Sequence, residues 1–352
     1  MKLALICVVA GVCAAQPAPI APAAAAYLDA ALKIMEEHFY HKERIDWPAI
    51  RRATTSQAAG AQTSVDTYPA IRFTLAKLGD HHSYLQLTPE LTRQEAARAP
   101  KLTDPGAMPA APARKQTFPY PSPFRTRRVP EGAMVAGAAA PLAQVVIPLF
   151  SSDKREEIDG YATNVQRVIG ELAAKHSCGW IVDLRGNGGG NIWAMLAGVG
   201  PILGEGTLGK SDQYYEDGKA GMRTDTKEPY YAQTTAAPVR LTGAPPVAVL
   251  IDRDTGSSGE GVAIAFRGRA ETRLFGELTY GAATATFPYE LSDGARIYLV
   301  IGTMIDRNGN EYPDGVAPDE EILSEATITT NDPVIRAASE WLSGRAACRA
   351  RN

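Results

Sequence analysis

An α/β body behind a small N-terminal helical domain is the fold class this sequence predicts, and three observations predict it. Residues 27–78 carry apolar side chains at three- and four-residue spacing. From 144 onward, short and almost wholly apolar runs alternate with amphipathic stretches. Two of those runs end in glycine- or serine-rich turns directly before a helical pattern.

The chain has 352 residues, 45% apolar and 21% charged. That is globular usage, with room for one large or two modest domains. The net charge of −3 and the lack of a basic stripe argue against a nucleic-acid partner. The densest basic cluster, RTRR at 125–128, reads as a loop anchor.

Lys2, the apolar run 3–12 and the small residues Cys13, Ala14 and Ala15 read as an export signal over 1–15, cleaved before Gln16. The apolar run is shorter than the ~20 residues a spanning helix needs. Acylation of Cys13 is the alternative, disfavoured by the bulky Val12 before it. The expected location is periplasmic or secreted, with no transmembrane segment. Beyond the leader only Cys178 and Cys348 remain, and an oxidising compartment permits a disulfide between them. No CxxC and no Cys/His metal spacing occurs, so no metal site is expected.

After an Ala/Pro-rich lead-in at 16–26, residues 27–40 predict a helix, with Leu28, Leu32, Met35 and Phe39 on one face. A second helix is predicted over 66–78, capped by Asp66, tolerating Pro69 in its first turn and ended by Gly79. Residues 16–96 form the predicted helical domain. Residues 97–143, rich in Ala and Pro, read as an extended connector. The body spans 144–345. Strands are predicted at 144–150, 179–184, 246–252 and 272–276, the second and third apolar on both faces. Tyr161, Val165, Val168, Ile169 and Leu172 mark an amphipathic helix. Further helices follow at 191–203 and 258–267, then a hairpin turning at Ser292-Asp293-Gly294, then a closing helix over 332–342.

Three segments could carry chemistry. The run DLRGNGGG (183–190) joins a buried strand to a helix, and its glycines leave backbone N–H groups uncovered. It lacks the Gly-Lys-Ser/Thr of a phosphate loop and the spacing of a dinucleotide fingerprint. A plain tight turn is the competing reading. The run TGSSGE (255–260) makes a second strand-to-helix turn, where a serine hydroxyl is exposed beside helix N–H groups. Helix capping alone would also explain its serines. The run GDHHSY (79–84) places two of the five histidines after a helix. A serine nucleophile needs such a base. A metal pair there lacks a third ligand.

Taken together, LGDHHSYL, GWIVDLRGNGGG, TGSSGEGVAIAFRGRAETRLFGELTYG and GVAPD (315–319) resemble the tail-specific protease superfamily, peptidase family S41. That group includes C-terminal-processing and tricorn-core members. The matching stretches cover roughly residues 60–325, in the family's order. The resemblance implies a crotonase/ClpP-like ββα superhelical core and a serine peptidase that needs no cofactor. Position by position it puts the nucleophile on Ser257. It implies an oxyanion hole from the amides of Ser258 and of Gly188 or Gly189.

One departure matters. C-terminal-processing members carry a catalytic lysine where this chain has Ala282, so a Ser–Lys pair is excluded. The tricorn-like branch uses a histidine after the N-terminal helices. His82 matches that position, with His81 the less favoured neighbour. That branch orients its histidine with a glutamate, for which Glu311 and Asp314 are the candidates. The resemblance thus implies hydrolysis of a peptide or an unfolded protein segment. No PDZ domain fits in the connector, so short peptides are favoured over long tails. Retinoid-binding relatives leave a non-catalytic lipid or peptide binder as the alternative. Oligomeric state is not legible.

Overall fold

The computed structural model describes residues 18–80, 82–98, 122–152, 154–204, 206, 208–215, 221–222, 239–323 and 331–349. The leader at 1–15 and His81 fall outside them. The described residues form two compact units. One comprises 18–79, 84–98 and 288–298; the other comprises 80–83, 122–287 and 299–349. His82, expected to travel with the helices, therefore belongs to the second unit.

The first unit is built on α1 (Pro22–His38), α2 (Trp47–Gln57) and α3 (Tyr68–Lys77). In α1, Ala24, Tyr27, Leu28, Ala31, Leu32 and Met35 are buried at helical spacing. The Asp46 side chain accepts from Ala49 N at 3.0 Å and caps α2. Gly79 takes φ +81°, which ends the run of α3 as expected. Asp66 does not cap that helix. Its carboxylate accepts from Gln62 N, Thr63 N and Thr63 Oγ1 at 3.1, 2.9 and 2.9 Å. The preceding turn satisfies it first, so the helix begins after a 3₁₀ turn at Val65–Thr67. Strand β1 (Tyr84–Gln86) and helix α4 (Pro89–Arg98) complete this stretch; α4 has one buried apolar residue, Leu91, and no strong sequence signature. Asp293, in the expected hairpin turn, accepts from Tyr27 OH at 2.7 Å and from Tyr68 OH at 2.6 Å. It thereby pins that turn to α1 and α3. Burial alone would raise its pKa, but the tyrosine hydroxyls hold it below the usual carboxylate value.

The second unit centres on a six-stranded sheet. Its strands are β2 (Glu131–Met134), β3 (Leu142–Val146), β4 (Gly179–Asp183), β7 (Val247–Ile251), β8 (Thr272–Gly276) and β11 (Glu320–Glu321). Their order is β11-β8-β7-β4-β3-β2. All neighbours are parallel except the β2–β3 pair. Alternation splits each central strand between two cores. Trp180, Val182, Val247, Val249 and Ile251 face helices α5 (Arg155–Ala173), α6 (Ile192–Leu203) and α7 (Ser258–Phe266). Ile181, Ala248 and Leu250 face α8 (Pro333–Ser343). Coverage on both faces is why these strands are apolar without interruption. The disulfide Cys178–Cys348 fastens the start of β4 to the short α9 (Ala346–Arg349).

A smaller antiparallel set surrounds β10 (Arg296–Asp306). It pairs with β1 at Arg296–Tyr298, with β5 (Gly209–Tyr215) over its last turns, and with β9 (Thr284–Glu290); β6 (Gly221–Met222) extends β5. The stretch 97–143 is less bare than its composition suggests. It holds a 3₁₀ turn at Pro123–Thr126 and the edge strand β2. Gly132 hides β2 from pattern reading: a methyl group there would meet Val168 Cγ1 at 2.7 Å and Leu172 Cδ1 at 2.8 Å. Close strand–helix approach takes the place of apolar alternation.

Candidate active site

The two chemical turns end adjacent strands. β4 and β7 pair in parallel with Asp183 opposite Leu250, so the 183–190 and 252–260 turns emerge side by side. They are braced to each other along their length. Gly186 N donates to Asp252 Oδ1 at 2.9 Å. Thr255 Oγ1 donates to the Leu184 carbonyl at 3.0 Å, and Gly256 N to the Asn187 carbonyl at 2.9 Å. Ser258 Oγ donates to the Gly190 carbonyl at 2.6 Å.

Asn187, fully buried, organises the glycine turn. Its Nδ2 donates to the Ile147 carbonyl at 2.9 Å, and its Oδ1 accepts from Gly189 N at 2.9 Å. Gly189 takes φ +105°. A methyl group on it would lie 2.7 Å from Ser257 Cβ and 2.9 Å from Ser258 N, so only glycine lets the two turns touch. Below the turn, Arg185 clasps Asp183 through Nε (2.9 Å) and Nη2 (2.8 Å) and reaches Asp332 at 2.6 Å. Arg127 adds a contact to Asp183 at 2.9 Å. Burial would push the Asp183 carboxyl up; the two guanidiniums hold it well below the usual range.

Ser257, half-buried, sits at φ +50°, ψ −120° directly before α7. A serine holds that backbone only where its surroundings over-determine it. Glu260, one turn into α7 and completely buried, accepts from Ser257 N at 2.8 Å. Its other partners are Thr279 Oγ1, Gly281 N and Ala282 N. Ala282 is thus buried against the serine turn, with a methyl group where a lysine base would need an amine.

His82 is also part of this unit. An Asx turn sets its backbone: Asp80 Oδ1 accepts from His82 N at 2.7 Å and Ser83 N at 2.5 Å. Ser83 Oγ accepts from Val300 N at 3.0 Å. The imidazole Nδ1 meets Thr284 Oγ1, on β9, at 2.8 Å. Burial pushes the imidazole pKa below its ordinary value, with the Asp80 charge and the Thr284 backbone opposing that shift. The candidates for the orienting carboxylate are Glu311 and Asp314. Both are exposed, and Glu311 bridges Ile305 through its backbone. Thr284 was not singled out from sequence, because one threonine on a strand gives no signal. Asp80 had a weak one: an Asp two residues before a histidine favours an Asx turn. Among the described residues no cluster of His, Cys, Asp and Glu is placed to hold a metal ion. No helix among them is long and apolar enough to cross a membrane.

The model of peptidase family S41 matches residues 141–322, just over half of the chain and both turns within it. The chain belongs to peptidase family S41. It is a serine-type hydrolase whose substrates are peptides or proteins. This S41 peptidase is 24% identical over 328 residues to the nisin-resistance protein of Lactococcus lactis subsp. lactis, covering 93% of this chain and 89% of that protein. It is 30% identical over 186 residues to the carboxyl-terminal-processing protease of Synechocystis, covering 51% of this chain and 40% of that one. Among solved structures, a lipoprotein from Streptococcus agalactiae shares its fold with a TM-score of 0.66 at 21% identity, over 94% of this chain and 99% of that one. The photosystem II D1 C-terminal processing protease does so with a TM-score of 0.56 at 18% identity, over 93% and 99%.

Proposed function

We propose that this S41 peptidase is exported and cleaves peptide bonds through an acyl-enzyme on Ser257, with His82 as general base. The observation that carries the reading is the contact of the two turns. It puts a strained serine against the glycine turn at Gly189. The N–H of Ser258, first in α7, faces no intrahelical partner. Gly189 N is engaged by Asn187, which favours Gly188 N as the second oxyanion donor.

In the tautomer proposed, Nδ1 carries the proton and Thr284 Oγ1 accepts from it. The Nε2 lone pair is then the one left to act. Nε2 takes the Ser257 proton as Oγ bonds to the peptide carbonyl carbon. The oxyanion forms between the Ser258 and Gly188 amides. The imidazolium returns its proton to the leaving nitrogen as the C–N bond breaks, and a water, deprotonated the same way, releases the acyl group. Export is supported by the leader-like residues 1–15 and by the likeness to a nisin-resistance protein and to a streptococcal lipoprotein. The first of these likenesses also makes nisin the first substrate to test. The processing proteases match over only two-fifths of their length, so tail-specific cleavage is the weaker substrate reading.

Labelling with a fluorophosphonate tests the assignment. Wild type is expected to label stoichiometrically, Ser257→Ala not at all, and His82→Ala at least ~10²-fold more slowly. Undiminished labelling of folded Ser257→Ala would remove Ser257 as the nucleophile. No labelling of the wild type would favour the binding-protein alternative.

A further inference from the structure

Glu260 has no exposed surface and only neutral hydrogen-bond partners. Its Oε1 accepts from Thr279 Oγ1 at 2.6 Å and Gly281 N at 2.8 Å. Its Oε2 accepts from Ser257 N and Ala282 N, each at 2.8 Å. Thr279 Oγ1 in turn accepts from Val316 N at 2.7 Å, and Thr279 N donates to the Val316 carbonyl at 3.2 Å. One carboxylate therefore joins three chain segments: the start of α7, the 279–282 turn and the run at 316. Ser257 and Glu260 form a capping box, in which the Glu260 carboxylate accepts from Ser257 N and the Ser257 side chain accepts from Glu260 N. The three further donors come from outside the helix and surround the position where the excluded lysine would stand.

We propose that Glu260 is a positioning residue for the nucleophile. Its ionised carboxylate holds Ser257 in the left-handed conformation through the Ser257 N–H. Through the Ala282 N–H it keeps the 279–282 turn seated against the serine. The inference rests on Ser257 being the nucleophile. Four donors pointing at two oxygens need a carboxylate: a glutamine offers one oxygen, and its NH2 must then face two N–H or O–H groups. Burial pushes the Glu260 pKa up, and the four hydrogen bonds act against that shift. Without the carboxylate, Ser257 is free to relax toward an ordinary helix-start backbone, and its hydroxyl leaves the oxyanion donors.

The test uses the full chain and a fluorophosphonate probe, with the limiting labelling rate and the half-saturating concentration measured separately. Melting temperature is recorded for every variant. Glu260→Gln and Thr279→Val are expected to lower the limiting rate about 10- to 100-fold, with half-saturation shifted less than about twofold. Thr279→Ser keeps the hydroxyl and is expected to recover part of what Thr279→Val loses. If Glu260→Gln fails to fold, the Thr279 pair decides. The inference is overturned by a folded Glu260→Gln that labels at the wild-type rate. It is equally overturned if Thr279→Val and Thr279→Ser label alike. A folded wild type with no Ser257 adduct sinks the nucleophile assignment itself, and this inference with it.

Discussion

The Ser257 side and the His82 side of the site are held in very different ways. The two turns around Ser257 are cross-braced by backbone and buried side-chain hydrogen bonds, and they grow from the centre of a sheet covered on both faces. The His82 ring is held by one hydroxyl, and its backbone by one Asx turn on a short loop. Strain at Ser257 persists because many contacts over-determine it. Among the described residues the imidazole is held by fewer contacts, so its position is the more easily adjusted of the two. The oxyanion geometry must be set before substrate arrives, because reorganisation during reaction would raise the barrier. A base can tolerate a looser mount, provided its tautomer is fixed.

Breaking the rigid side is expected to have the largest effect. Asn187→Ala leaves the Ile147 carbonyl and the Gly189 N–H unpaired. It is expected to cost about 2–4 kcal/mol of stability, from chemical denaturation, and about 10²-fold in kcat. A mild change in both would mean that Asn187 does not organise the turn. On the loose side, Thr284→Val is expected to lower kcat about tenfold by releasing the ring, while Thr284→Ser retains most of it. Equal activities for Val and Ser would show that the hydroxyl does not orient His82.

A smaller effect is expected in pH dependence. A base works deprotonated, so kcat/KM falls as pH drops through the His82 pKa. Burial sets that pKa below the ordinary imidazole value of 6.5, so the midpoint of the acid limb should lie below pH 6.5. Asp80 opposes the shift, so Asp80→Asn should move the acid limb to still lower pH. An acid limb above 6.5, or one that Asp80→Asn moves upward, contradicts the assignment. The smallest effect on catalysis is expected far from both turns. Asp293→Asn weakens the tyrosine contacts and should cost about 1–3 kcal/mol of stability, read as a lower melting temperature.

The same contrast governs how much of the molecule was legible in the sequence. Strands buried on both faces read as apolar runs, and each sharp turn after them was marked by glycine or serine. That exposed β4, β7, β8, α6 and α7, and the two turns at 183–190 and 255–260. Edge and surface elements lacked such signals. β2 relies on Gly132 for close packing, α4 buries one apolar side chain, and Asp66 found nearer donors than the helix it was expected to cap. Thr284 was illegible for a related reason: it meets His82 across 202 positions of chain, and a hydroxyl on a strand looks like any other. The cysteine count permitted the Cys178–Cys348 bridge, but the folding of α9 onto the base of β4 decided it.

A crystal structure of the phosphonylated enzyme tests the central claim most directly. Phosphorus is expected on Ser257 Oγ, with its oxygen about 2.7–3.1 Å from the Ser258 and Gly188 amides. The same structure should place His82 Nε2 about 2.6–3.2 Å from Oγ or the leaving-group position. Phosphorus on another residue, or an imidazole more than about 6 Å from the adduct with neither ring nor loop able to close the gap, would contradict it.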